Sequence, residues 1–70
     1  MSTEVTLSSY RSTDGKRLVN ITKNEGTTFV YFYENSELVN KIRNTKDILH
    51  AEELAEEFTM GFLNPKLLLG

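Results

Sequence analysis

The segment Thr27-Thr28-Phe29-Val30-Tyr31-Phe32-Tyr33 reads as a strand with bulky groups on both faces. Side chains along a strand alternate between its two sides, so Phe29, Tyr31 and Tyr33 share one face and Val30 and Phe32 the other. A single-layer sheet covered by one helix uses only one apolar face. The second must meet something else: another copy of the chain, a partner, or a stacked ligand.

A chain of 70 residues is one domain, 1–70, and a domain this small buries only about 60% of the surface its unfolded form exposes. There is no cysteine and a single histidine. Disulfides and a Cys/His zinc site therefore cannot compensate, which leaves oligomerisation as the common support for so small a core. Apolar content of 39% and charged content of 26% suit a folded domain rather than a disordered one. A net charge of −2 implies neither a strongly acidic nor a strongly basic partner. Met1-Ser2-Thr3-Glu4 shows no basic-then-apolar leader, and the apolar run Leu67-Leu68-Leu69 is far too short to span a membrane. The expectation is a cytoplasmic protein with no membrane association.

Turn signals divide the first two thirds of the chain into four strands, at about 5–12, 16–23, 27–34 and 37–43. Asp14-Gly15 is the signature of a two-residue type I′ hairpin, in which both central residues take positive φ. Asn24-Glu25-Gly26 suits a three-residue loop with Gly26 in the left-handed position, because Glu tolerates positive φ poorly. Asn35-Ser36 turns the chain into the last strand. A helix at about 45–63 follows, capped by Asn44 or Thr45, with Asp47 in its first turn. Ile48, Ala51, Leu54, Ala55, Phe58 and Phe62 fall at three- and four-residue spacings and make one apolar stripe. Pro65 cannot continue the helix, and the apolar tail 64–70 is expected to pack on its own sheet or a neighbour. The fold class is α+β: a four-stranded antiparallel meander with one C-terminal helix across one face (ββββα).

Loop lengths convert into registers, and registers into faces. Two-residue outer loops and a three-residue middle loop gather Tyr10, Val19, Ile21, Phe29, Tyr31, Tyr33, Leu38 and Ile42 under the helix, with Phe29 opposite Ile42. The second face then carries Val5, Leu7, Leu18, Val30, Phe32 and Val39 among Arg11, Asn20, Thr22, Thr28, Lys41 and Arg43. A two-residue Glu25-Gly26 turn would instead set Val30 and Phe32 against Val19 and Ile21.

The second face decides function. Its apolar centre of Val30, Phe32 and Val39 predicts a self-associating, non-enzymatic interaction module, most simply a homodimer. The alternative is single-stranded nucleic acid, with Phe32 stacking on bases, Arg11, Lys41 and Arg43 meeting phosphates, and Asn20 supplying a hydrogen bond. The order of four antiparallel strands and then one helix, over residues 5 to 63, is similar to that of the Whirly and PC4-type single-stranded-DNA-binding domains. That resemblance is one of element order alone, and it implies dimerisation and nucleic-acid binding. Catalytic patterns are absent. His50 and Glu53 make one His-x-x-Glu pair without further ligands, and Glu52, Glu53, Glu56 and Glu57 read as a solvated helix face. No catalytic residue, metal ligand or cofactor is expected.

Overall fold

The computed structural model describes residues 4–44 and 47–64. Four antiparallel strands, β1 (Glu4–Arg11), β2 (Arg17–Asn24), β3 (Thr27–Glu34) and β4 (Glu37–Asn44), form one sheet in the order β1-β2-β3-β4. A single helix, α1 (Ile48–Thr59), lies across one face, chiefly over β2. The expected ββββα architecture is present. The residues that line each face are not all the expected ones.

The first hairpin has the anticipated register, with Tyr10 opposite Val19 and Ser8 opposite Ile21. Its turn differs, because Gly15 takes positive φ (73°) and Asp14 does not. Gly15 N–H closes a turn on the Ser12 carbonyl at 3.0 Å. The Asp14 carboxylate accepts from the Ser12 hydroxyl and from the Lys16 amide, which hold its pKa below the usual carboxylate value.

The middle loop overturns the expectation. Asn24 pairs with Thr27, so the connection is two residues long, and both Glu25 (φ 51°) and Gly26 (φ 83°) are left-handed. A type I′ turn matches the twist of the flanking strands. Placing Glu at positive φ costs about 1–2 kcal/mol. Burying Val30 and Phe32 returns roughly 1.5–3 kcal/mol each, and this register also leaves the hydroxyls of Tyr31 and Tyr33 off the core. The larger sum decides the register.

The third hairpin turns at Asn35 and Ser36 (φ 52° and 68°) and sets Tyr33 opposite Leu38, as expected. Beyond it β4 carries a bulge. Phe32 pairs with Asn40, so Val39 is the extra residue, and everything after it changes face. Ile42 therefore faces Val30 under the helix, and Phe29 faces Arg43 rather than Ile42. A second bulge in β1, at Leu7, lies between the pairs Thr6–Thr22 and Ser8–Ile21. Bulges on both edge strands blunt edges that would otherwise invite strand addition.

The core is Val19, Ile21, Val30, Phe32 and Ile42 from the sheet with Ala51, Ala55 and Phe58 from the helix. Tyr10, Val39, Leu54 and Leu63 pack around it. The alanines let α1 approach closely, and Phe58 fills the space beyond them. Of the expected helix stripe, Ala51, Leu54, Ala55 and Phe58 hold, whereas Ile48 is exposed and Phe62 is 79% exposed. Phe62 lies outside the helix because the chain turns away before it.

The helix is also shorter than 45–63. Asp47, not Asn44, is its N-cap, accepting from the His50 amide at 3.1 Å; Thr45 lies outside the described residues. The C-terminus closes as a Schellman motif, with Phe62 N–H on the Glu57 carbonyl and Gly61 N–H on the Phe58 carbonyl. Gly61 supplies the left-handed residue (φ 87°) that the motif requires. The tail past Asn64 lies outside the described residues.

Candidate binding face

The face of the sheet away from α1 is built in rows by the strand pairing. One row is Arg11–Leu18–Tyr33–Leu38, the next Ser9–Asn20–Tyr31–Lys41, and the next Thr6–Thr22–Phe29–Arg43. Read down β3, the rows place Phe29, Tyr31 and Tyr33 in a continuous aromatic column. Read down β4, they place Lys41 and Arg43 beside it, and down β2, Asn20 and Thr22.

This placement corrects the expected site. Arg11, Asn20, Lys41 and Arg43 do share the open face. Val30 and Phe32 do not: both are fully buried under the helix, and Val39 is half-buried against the core. Thr28 also moves to the helix side, opposite Lys23 and Asn44. The aromatics of the open face are the ones expected in the core. Their signal was in the sequence: two of the three carry a hydroxyl, which favours a face in contact with water, while Val30 and Phe32 carry none.

Phe29, Tyr31 and Lys41 are in contact. Phe29 and Tyr31 are 6.5 Å apart between centroids, with planes inclined at 45°. The Lys41 ammonium lies 4.7 Å from the Phe29 ring centre and 5.3 Å from that of Tyr31, a cation–π arrangement spanning both. Lys41 and Arg43 are exposed, whereas the three rings are half-buried. On the other side of the column the Asn20 carbonyl oxygen accepts from the Ser9 hydroxyl at 2.9 Å. Thr22 is 4% exposed, and its hydroxyl finds no partner among the described residues. The Tyr31 hydroxyl donates to the Glu4 carboxylate at 3.1 Å, which puts one acidic group at the β1 edge of the face.

Charge is unevenly spread over the molecule. Arg11, Lys41 and Arg43 lie on the open face, while Asp47, Glu52, Glu53, Glu56 and Glu57 lie on or at the start of the helix. Glu52 accepts from the Tyr10 hydroxyl at 2.9 Å, tying β1 to α1. Burial, then that hydrogen bond and the nearby charges of Glu52 and Glu56, raise the Tyr10 pKa above its ordinary value.

Elsewhere, a groove at the C-terminal end of α1 is lined by Arg17, Glu34, Val39, Phe58 and Leu63. Arg17 is already engaged there, 3.5 Å from the Glu34 carboxylate and 6.0 Å from the centre of the Phe58 ring. Among the described residues no cluster of His, Cys, Asp and Glu is arranged to hold a metal ion, and no helix is long and apolar enough to cross a membrane. No family model, curated protein or solved structure matches the chain.

Proposed function

We propose that this protein is a non-enzymatic binding domain whose open sheet face takes single-stranded nucleic acid. The observation that carries the reading is the half-buried column of Phe29, Tyr31 and Tyr33 with the exposed Lys41 and Arg43 running beside it. Aromatic faces stack on any base, and adjacent cations neutralise phosphates. The overall charge of −2 does not oppose this, because five of the ten acidic groups lie on or at the start of the helix. Fluorescence anisotropy of a labelled single-stranded oligonucleotide tests it. Binding should appear at low salt, weaken as salt rises, and lose about 1–3 kcal/mol when Tyr31 is replaced by alanine.

Self-association through the same face is the second reading. It is favoured by the apolar row at one end, where Leu38 is 52% exposed beside Tyr33 and Leu18. A face-to-face dimer would, however, desolvate Arg11, Lys41 and Arg43, and buried cations without partners are costly. Light scattering at micromolar concentration separates the two. A dimer that excludes the oligonucleotide favours self-association, and a monomer that binds it favours the ligand.

A further inference from the structure

Resting on that reading, we infer how the strand lies: drawn out along β3, with phosphates over β4 and base edges over β2. The ring spacing carries the first part. The Phe29 and Tyr31 rings are 6.5 Å apart between centroids, about twice the ~3.4 Å rise per nucleotide within a duplex strand. Consecutive bases in a helical stack cannot each face a successive ring. A strand pulled out to about double that rise sets successive bases on Phe29 and Tyr31, with the Lys41 ammonium moved off the rings onto a phosphate.

The two flanks of the ring column differ in chemistry, and this carries the second part. On the β4 flank stand the exposed cations Lys41 and Arg43, opposite Tyr31 and Phe29. On the β2 flank stand the uncharged groups Asn20 and Thr22, opposite the same two rings. Cations attract phosphates without regard to sequence, whereas amides and hydroxyls discriminate between base edges. With its carbonyl oxygen engaged by Ser9, the Asn20 amide offers its NH2 as donor. The Thr22 hydroxyl is buried beside Phe29 and closed to a base edge, which leaves Asn20 as the base-reading group of this flank.

The test uses the full chain, labelled single-stranded oligodeoxythymidine and oligodeoxycytidine, and a duplex of the same length. Lys41→Gln and Arg43→Gln should each flatten the salt dependence, lowering the slope of log affinity against log salt by about 0.7. Asn20→Ala should leave that slope unchanged and alter the thymidine-to-cytidine preference, by up to about tenfold for one hydrogen bond. The duplex should bind more weakly than either single strand. Slopes unchanged in both β4 variants, or a duplex that binds as well as the single strands, would overturn this lane while leaving nucleic-acid binding intact. If the unaltered protein leaves the anisotropy of all three probes unmoved at low salt, the proposed function itself is lost.

Discussion

The ring of Phe32 meets that of Phe58 edge-on, with centroids 5.2 Å apart and planes at 79°. Both side chains are buried, and the contact joins the centre of the sheet to the last turn of the helix. An edge-to-face pair adds about 0.5–1.5 kcal/mol beyond the area it removes from water. Phe58→Ala should therefore cost about 3–5 kcal/mol, a large part of the stability of so small a domain. Urea unfolding followed by circular dichroism measures this. Phe32→Asp should unfold the chain outright, because a carboxylate there has no water and no partner.

The strain at Glu25 is removable. Its positive φ, followed by Gly26, is the geometry that Asn-Gly adopts most readily. Glu25→Asn should raise stability by about 0.5–1 kcal/mol without changing the register. A lower urea midpoint would contradict the two-residue turn.

Gly61 is constrained twice. Its φ of 87° disfavours any other residue, and a Cβ there would stand 3.2 Å from the guanidinium of Arg17. Gly61→Ala should destabilise by about 1–2 kcal/mol. Because Arg17 sits on a flexible side chain, pairing the change with Arg17→Ala should recover only the steric part, a partial rescue visible in thermal unfolding.

Tyr10 makes stability depend on alkaline pH. Its raised pKa means that the folded chain holds the phenolic proton to higher pH than the unfolded chain does. The associated stability is complete below the ordinary value near 10 and is lost as pH rises through the folded value. Tyr10→Phe should cost about 1 kcal/mol at neutral pH and flatten the decline above pH ~10. Unfolding midpoints across that range in both proteins decide it.

Thr22→Val should keep or raise stability, since it removes a buried hydroxyl that has no partner among the described residues in exchange for a methyl of similar volume. A loss of more than about 1 kcal/mol would mean that the hydroxyl is satisfied within the folded chain.

Much of the architecture was legible in the residues. Four strands, their order of appearance, the registers at the first and third turns and the helix all follow from local signals: turn residues, alternation, and the spacing of Ala51, Leu54, Ala55 and Phe58. The cap was not legible: Asn44 and Thr45 suit that role and Asp47 reads as a first-turn residue, yet the backbone geometry makes Asp47 the cap.

The binding face was legible only in part. Arg11, Asn20, Lys41 and Arg43 were correctly grouped on the face away from the helix, but the aromatics between them were not. By itself the sequence determined that β3 has two bulky faces, Phe29-Tyr31-Tyr33 and Val30-Phe32. Which of them goes under the helix was decided by the tertiary structure, through one residue of loop length at Glu25 and one extra residue at Val39. Local preference disfavours positive φ at Glu25, and nothing local marks Val39 as a bulge. Both are imposed from a distance by packing: Ile42, Val30 and Phe32 are buried together only in this register, and that burial outweighs the backbone strain at the turn.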